Sequence, residues 1–420
     1  MATDPRPLIL HVVQTLDGGG LERTLVSLLR AFRSPRLRHA VATLRLAGSL
    51  SEQLPDDVAC WAIGASGRCR SAWLRLASVA RAWKAVVLHA RGTGCWNDAI
   101  LAGVLTPRSR VALGFHGLEA SATFTPRQRR SARRGLLAGA HFTSVSDCGV
   151  RQLVDELGIP LERIDLLRNG VHPESFAGMD KGTRQRTRQQ LRLAKGCFVV
   201  GTVGSLTPVK RHGHLIKAIA QLAARGVDLG LLIVGDGPLR ETLEQWVQAE
   251  DIADRVRFAG QREDVPAMLA CMDAYVCSSV SEGMSNALLE AMAASLPIVA
   301  TNVGDNGTLL RNGVDGLIVE AESPEAIAGA LATLIGQPNL RERLAGSAAV
   351  RARRYEFDRV AEGYEHYYLS LAGGRPARRR SIGQARPSTT PPAQAVGTSE
   401  GVGPSEHPGG VEAAATASGA

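Results

Sequence analysis

The sequence predicts two α/β domains, each built on a doubly wound parallel sheet, that face each other across a cleft. With 420 residues, 45% of them hydrophobic and 21% charged, the chain has enough apolar material for two large cores. Short runs rich in Val, Ile and Leu alternate with segments of helical periodicity, which is typical of parallel α/β sheets. This alternation starts at about Leu8 and again at Phe198, and the polar, basic stretch 178–196 separates the two series.

The domain boundaries follow from these changes in composition. We assign residues 1–178 to the first domain and residues 179–372 to the second. The last 48 residues contain 9 Gly and 6 Pro and no aromatic side chain, so they cannot bury a core. We therefore expect residues 373–420 to be a disordered tail.

The positive charge is concentrated in the first domain. Residues 1–178 contain 23 basic and 14 acidic side chains, whereas residues 179–372 contain 21 and 23. The densest cluster is TPRQRRSARRGLLAG, where helical spacing places several guanidiniums on one side. An ordinary solvated helix face is one interpretation, and attraction to anionic lipid headgroups is the next. Nucleic-acid binding ranks last, because aromatic residues are only 4% and no nucleic-acid-binding motif accompanies the charge.

Other features address location and metal binding. The longest uncharged stretch, residues 326–340, is shorter than a transmembrane helix requires, and the N-terminus lacks the pattern of a signal peptide. We therefore expect a cytoplasmic protein, and attraction of its arginines to anionic lipid headgroups would place it at the inner face of the cell membrane. No C-x-x-C spacing occurs, so neither a zinc site nor a disulfide framework is predicted from the seven cysteines. They are Cys60, Cys69, Cys95, Cys148, Cys197, Cys271 and Cys277.

The segment SSVSEGMSNALLEAMAASLPIVATNVG is the most informative. It begins at the end of the predicted buried strand AYVCSS, and its apolar positions take helical spacing from about Met284. Glu282 then lies in the strand-to-helix loop and Glu290 about two turns into the helix. Free amides at the helix start would form a phosphate site, and carboxylates beside it suit the hydroxyls of a nucleotide sugar. A glutamate at a helix start is also commonly a simple partner of the helix dipole.

Three further strand ends carry ligand-binding patterns. In GTVGSLTPVKRHG, Lys210 and Arg211 follow a strand and could neutralise a diphosphate without a metal. In GGGLERTL, three glycines open a helix, but Arg23 stands where a dinucleotide-binding fingerprint needs a glycine. GDGP, which begins at Gly235, ends another strand. It is either a simple turn or part of the binding site for the base of a nucleotide.

At these motifs the sequence resembles the family-four retaining glycosyltransferases, which have the GT-B fold. The second half is similar nearly from end to end, through GTVGSLTPVK, GDGPLRETLE, VRFAGQREDVPAML and SEGMSNALLEAMA. Glu282 and Glu290 match the family's E-x7-E motif. The first half is similar more loosely, through GGGLERTLVSLL, VALGFHG, SVSDCGVRQLV and LLRNGVHPESF, so the resemblance covers about residues 8–370.

The resemblance implies a role for each site residue. Glu282 holds hydroxyls of the transferred sugar, and Glu290 holds the ribose hydroxyls. Lys210 lies on the diphosphate, and His116 assists at the reacting sugar, although a lone histidine is more often structural. The other implied donor contacts are Gly19 and Gly20 at the phosphates from the first domain, Gly235, Gly260 and Arg262 at the base, and Ser205, Arg211, Gly283, Met284, Ser285 and Asn286 around the diphosphate. The last helix, about residues 356–371, is implied to pack back on the first domain.

Three positions depart from the pattern that the resemblance implies. The family usually has an arginine where Ser205 stands, and Arg211 is a candidate substitute at a different position. In VGDNGTLL, Asp305 and Thr308 replace the more usual glycine and glutamate of that loop.

The resulting expectation is a retaining glycosyltransferase. It would use a nucleoside-diphosphate sugar as co-substrate, with no essential metal and no other cofactor. The expected acceptor is a glycan or a lipid-linked glycan of exopolysaccharide or lipopolysaccharide assembly, bound by the first domain. The alternatives are a non-catalytic scaffold that binds nucleotide sugar, and an epimerase or hydrolase of nucleotide sugars. No nucleic-acid partner is expected.

Overall fold

The computed structural model describes residues 4–64, 71–117, 123–176 and 181–373. These ranges form two parallel sheets covered by helices, which confirms the predicted fold class. Residues 374–420 of the predicted tail and Cys69 lie outside the described residues. No helix in the described ranges is both long enough and apolar enough to cross a membrane.

The first sheet is built from the N-terminal strands. They are β1 (Leu8–Val13), β2 (Arg38–Thr43), β3 (Ala59–Ala62), β4 (Ala85–Ala90), β5 (Arg110–Phe115), β6 (His141–Ser144) and β7 (Ile164–Leu166). Their order in the sheet is β3-β2-β1-β4-β5-β6-β7, and every neighbouring pair is parallel. All six residues of β1 are buried, as expected for a strand that helices cover on both faces.

Helices of the first half lie between these strands. They are α1 (Gly20–Ala31), α2 (Ala72–Ala82), α3 (Trp96–Leu105), α4 (Pro126–Leu137) and α5 (Asp147–Leu157). In α1, Leu25, Leu28 and Leu29 are buried, and this spacing produces the apolar stripe that packs on the sheet. The arginine-rich segment is helical as predicted, and a capping box at Thr125 and Gln128 starts α4.

The second sheet repeats the pattern. Its strands are β8 (Phe198–Val203), β9 (Leu229–Val234), β10 (Val256–Gly260), β11 (Ala274–Cys277), β12 (Ile298–Thr301) and β13 (Leu317–Val319). Their order is β10-β9-β8-β11-β12-β13, again with every neighbouring pair parallel. The order reverses between β8 and β11, and ligands of such sheets bind outside the carboxyl ends at this point.

The second half carries the remaining helices. They are α6 (Lys181–Gln190), α7 (His212–Ala224), α8 (Arg240–Ala249), α9 (Val265–Ala270), α10 (Asn286–Ala293), α11 (Asn306–Leu309), α12 (Pro324–Gly336), α13 (Pro338–Ala352) and α14 (Phe357–Ala372). The helix α14 returns to the first sheet, where Tyr364 and Tyr368 share a buried cluster with Ile9 and Val87.

The chain passes between the two sheets twice, and the two crossings run side by side. The amide of Val171 donates to the carbonyl oxygen of Tyr355 at 2.8 Å, and the amide of Phe357 donates to that of Val171 at 3.1 Å. Because backbone hydrogen bonds join the crossings, the two halves are connected by a short two-stranded bridge rather than by a single linker.

Candidate functional site

A lysine and a glutamate meet at the switch point of the second sheet. Lys210 ends a short turn that follows β8, and Glu282 lies in the loop that follows β11. Since β8 and β11 are neighbours, both loops emerge at the same edge of the sheet. The Lys210 Nζ atom donates to Glu282 Oε1 at 2.6 Å, and Ser278 Oγ donates to the Lys210 carbonyl oxygen at 2.8 Å.

The surroundings of this pair are polar and nearly closed. Ser279 Oγ donates to Glu282 Oε1 at 2.7 Å, and the Glu282 side chain is 9% exposed. Burial by itself would lower the pKa of Lys210, but the attraction of the neighbouring Glu282 carboxylate is the stronger influence. The pKa of Lys210 therefore lies above its ordinary value. The cavity at the pair measures about 10 Å³, space for about one water molecule. The lysine is therefore charged and held by the carboxylate in this state.

The start of α10 lies beside the pair. Ser285 is its N-cap, and the Ser285 Oγ atom accepts from the amide of Leu288 at 3.3 Å. The helix forms because Leu288, Leu289, Ala291 and Met292 face the core. The segment Gly283–Ser285 therefore presents the positive end of a helix dipole next to Glu282, which suits an anion.

Glu290 is nearer the helix start than the sequence predicted. The helix begins at Asn286, not at Met284, so Glu290 lies about one turn into it rather than two. Burial raises the pKa of Glu290 to about 7, and the Arg23 guanidinium on α1 opposes this only in part. A carboxyl poised in this way is half protonated near neutral pH.

Replacement of Glu290 by glutamine is expected to change how stability depends on pH. The folded protein keeps the proton up to about pH 7, whereas the unfolded chain releases it near 4.5. The stability contribution is thus full below pH 4.5 and is lost as the pH rises through 7. The loss is on the order of 3 kcal/mol at pH 8. Urea unfolding at pH 5 and pH 8 measures it.

The exposed Glu250, at the end of α8, supplies the control. Glu250→Gln should leave the pH dependence of the wild-type protein intact, while Glu290→Gln removes the fall between pH 5 and pH 8. Parallel stability curves for Glu290→Gln and the wild type would contradict the assignment.

Residues of the first half close the cleft from the opposite side. The Asn286 Nδ2 atom donates to Thr24 Oγ1 at 2.8 Å and to the Gly20 carbonyl oxygen at 3.4 Å. Gly19 is the N-cap of α1, so the GGGLERTL turn faces the start of α10. Two of the predicted glycines, Gly20 and Gly283, thus lie along this contact between the halves.

The His116 backbone lies directly against the loop that carries Glu282 and Gly283. A Cβ added at Gly283 would be 2.5 Å from the His116 carbonyl oxygen, so only glycine permits this approach. Burial, together with the nearby Arg91 guanidinium, lowers the pKa of His116 to about 3. The imidazole is therefore neutral at physiological pH.

The residues predicted to border the base, Gly235, Gly260 and Arg262, lie at or near the ends of the neighbouring strands β9 and β10. The Gly235 amide donates to the Gly260 carbonyl oxygen at 2.8 Å, which places both at one edge. Arg262 forms a 2.7 Å ion pair with Asp264 and remains partly exposed. Ser205 is exposed in the loop after β8.

Arg211 lies beside Lys210 in the chain but has a different partner. Its guanidinium forms an ion pair at 2.8 Å with Glu322, which lies in the loop that follows β13. The Arg211 backbone is left-handed, with φ at +48°, and forms the N-cap of α7. The substitution of Arg211 for the missing arginine at Ser205 stays a prediction.

Three residues that contribute to this site were not predicted from the sequence. Ser278 and Ser279, which end the segment AYVCSS, hold Lys210 and Glu282. Polar residues at the carboxyl end of an apolar strand were the available signal for them. Arg91 is buried beside His116 and donates to Tyr364 OH at 3.2 Å, a contact with α14 that no local pattern reveals.

Family comparisons agree with this geometry. The model described as "Glycosyltransferase Family 4" matches residues 18–175, and the one described as "Glycosyl transferases group 1" matches residues 183–351. The chain belongs to the family-four glycosyltransferases. The first match covers strands β2 to β7 of the first sheet, and the second covers all six strands of the second sheet.

Curated relatives within this family carry glycosyltransferase names. Alpha-D-kanosaminyltransferase of Streptomyces kanamyceticus is 29% identical over 59% of this chain and 64% of its own length. UDP-Gal:alpha-D-GlcNAc-diphosphoundecaprenol alpha-1,3-galactosyltransferase of Escherichia coli is 31% identical over 42% and 46%. D-inositol 3-phosphate glycosyltransferase of Corynebacterium urealyticum is 27% identical over 69% and 71%. The chain thus spans about half to seven tenths of the length of these relatives.

Solved structures of glycosyltransferases share the architecture. A glycosyltransferase of Rickettsia africae matches with a TM-score of 0.75 at 16% identity, covering 88% of this chain and 99% of that one. Anabaena HepE in complex with UDP-glucose matches with a TM-score of 0.76 at 20% identity, covering 86% and 99%. At these identities the likeness establishes the fold, which is the GT-B fold.

Proposed function

We propose that this protein is a retaining glycosyltransferase that moves a sugar from a nucleoside-diphosphate sugar to an acceptor hydroxyl without an essential metal. The observation that carries the proposal is the Lys210–Glu282 pair, which lies at the switch point of the second sheet beside the start of α10. A cation and a helix N-terminus suit a diphosphate, and a buried carboxylate suits sugar hydroxyls. HepE, which has the same fold, binds UDP and UDP-glucose.

In this proposal each half of the protein binds one of the two substrates. Residues 179–372 bind the donor, with the diphosphate on Lys210 and the amides of Met284 and Ser285. Residues 1–178 bind the acceptor and contribute Gly19 and Gly20 to the phosphate side. When the nucleotide sugar binds, the Lys210 ammonium turns from Glu282 to the diphosphate. The Glu282 carboxylate is then free to accept hydrogen bonds from the sugar hydroxyls.

The proposed transfer proceeds on one face of the sugar. The bond between the anomeric carbon and the diphosphate oxygen breaks, and the acceptor oxygen bonds to the same face of that carbon. The proton of the acceptor hydroxyl passes to the departing diphosphate. Lys210 and the α10 amides stabilise the negative charge as it grows on the leaving group, which is where fixed donors are most effective. Neutral His116 hydrogen-bonds the reacting sugar.

The test is a panel of nucleotide sugars incubated with the protein and a lipid-extract acceptor in the presence of EDTA. Release of nucleoside diphosphate from one donor, dependent on the acceptor and insensitive to EDTA, is the expected result. NMR of the product reports retention at the anomeric carbon. Conversion without acceptor would instead indicate an epimerase or hydrolase, and binding without turnover a scaffold.

For the acceptor we propose a lipid-linked glycan at an anionic membrane surface. The arginines of α4 are all exposed, and Leu137 at its end is 82% exposed. Exposed apolar and basic side chains together suit a lipid interface. The name of the Escherichia coli relative specifies a diphosphoundecaprenol-linked acceptor, which supports this class for the present chain.

Three arginines of α4 test the membrane contact. Combined replacement of Arg127, Arg130 and Arg133 by glutamine should weaken binding to phosphatidylglycerol vesicles by about fivefold for each charge removed. Arg129, which pairs with Glu156, and Arg134, which donates to Asn97, are left in place. Vesicle co-sedimentation at 50 and 300 mM salt measures the effect.

A matched triple variant in the second half is the control. It carries Arg192→Gln, Lys217→Gln and Arg225→Gln, all at exposed positions. It loses the same charge and should retain vesicle binding. Equal losses in the two triple variants would show that net charge alone, and not α4, determines the contact.

A further inference from the structure

Asp305 connects the two halves of the molecule. It follows β12 in the second half, and its side chain is 1% exposed. Its carboxylate accepts hydrogen bonds from the amides of Asp147 and Cys148, each at 2.9 Å, and from Arg168 Nη1 at 2.8 Å. All three donors belong to the first half, so every described hydrogen bond of this carboxylate crosses between the halves.

The contact is favourable because each component offsets the charge of another. Asp147 and Cys148 form the first turn of α5, where the helix dipole is positive. The Arg168 guanidinium supplies a full positive charge and also donates to the Asp147 carboxylate. A buried carboxylate with three donors is stable, whereas the same carboxylate without them would be costly. The contact therefore favours the state in which the halves touch.

The segment that contains Gly304 and Asp305 also contacts the loop that carries Glu282 and Gly283. The Asp305 amide donates to the Gly283 carbonyl oxygen at 3.3 Å. At Gly304, where φ is +53°, an added Cβ would lie 1.8 Å from the Glu282 carbonyl oxygen. From the first half, Asn169 Nδ2 donates to the Met284 carbonyl oxygen at 3.3 Å. A displacement of Asp305 would thus displace the loop that carries Glu282.

We propose that Asp305, Arg168 and the N-terminus of α5 form a clasp that holds the cleft closed and positions Glu282 against His116. Asp305 is then a positioning residue, and its kinetic role rests on the proposed transfer reaction.

The central test compares two buried carboxylates. Asp305→Asn removes the charge of the clasp at nearly constant volume. Asp315→Asn does the same to a fully buried carboxylate that pairs with Arg311 and Ser347, entirely within the second half. Small-angle scattering of the full chain should show a larger radius of gyration for Asp305→Asn and an unchanged one for Asp315→Asn.

Kinetics give the second readout. Asp305→Asn should lower kcat by about tenfold to a hundredfold, because misplacing reacting groups by about 1 Å costs that much. The KM for the donor should stay within about twofold, since the Asp305 carboxylate that is changed makes its described hydrogen bonds to the first half and none to Lys210, Glu282 or the α10 amides. Arg168→Gln should act in the same direction in both measurements, which keeps the test valid if Asp305→Asn folds poorly.

The outcomes separate the clasp from the proposed function. Unchanged scattering for both Asp305→Asn and Arg168→Gln overturns the clasp, whatever the kinetics. Opening by both variants in a protein whose wild type transfers no sugar to any acceptor overturns the proposed function and supports the clasp. Equal opening by Asp315→Asn would show a general loss of stability and would also overturn the clasp.

Discussion

Replacement of Glu282 by alanine is expected to lower kcat/KM for sugar transfer at least a hundredfold. The carboxylate accepts hydrogen bonds from Lys210 and Ser279 and a longer one, at 3.9 Å, from the Cys277 thiol. Lys210 and Ser279 can turn to a bound nucleotide sugar. Without Glu282 the sugar hydroxyls have no buried acceptor, and losing one preorganised electrostatic contact typically costs a hundredfold to a thousandfold in rate. Initial rates of nucleoside diphosphate release measure the change.

Glu282→Gln and Glu250→Ala make this result interpretable. Glu282→Gln keeps the size of the side chain and should show a similar loss, whereas the exposed Glu250→Ala should match the wild type. Thermal unfolding by circular dichroism establishes that each variant is folded. Near-wild-type transfer by a folded Glu282→Ala would refute its assignment to the sugar.

Replacement of Lys210 by methionine is expected to reduce the preference of the protein for a nucleoside diphosphate over the matching nucleoside by about tenfold to a hundredfold. The lysine is charged in the folded protein because Glu282 holds its pKa above the ordinary value. A charge-assisted hydrogen bond to a diphosphate contributes about 1.5–3 kcal/mol, so affinity for the diphosphate should fall about tenfold to a hundredfold. Titration calorimetry with both ligands measures the preference.

The nucleoside is the internal control of this experiment. Its affinity should be unchanged in Lys210→Met, since it carries no phosphate. Lys217→Met, on the exposed face of α7, should retain the preference in full. If Lys210→Met weakened diphosphate and nucleoside equally, the lysine would be acting on the fold of the site and not on the phosphates.

The sequence was sufficient to predict the architecture. Apolar runs such as LILHVV and LGLLIV became buried parallel strands because each is long enough for a strand and apolar enough to be covered on both faces. The strand-to-helix positions of Lys210 and Glu282 followed from the same pattern, since loops after neighbouring parallel strands meet at one edge. The exact start of α10 did not follow, because N-cap geometry at Ser285 decides it.

Tertiary structure determined what the sequence could not. The clasp at Asp305 joins residues 137 to 158 positions apart, and Arg211 pairs with Glu322 at a separation of 111. The pKa of Glu290 rises to about 7 and that of His116 falls to about 3 because both groups are buried. Local spacing determines which residues lie in the loop after each strand. The charge states and ion-pair partners of these residues depend on burial and on distant side chains, which only the folded chain brings together.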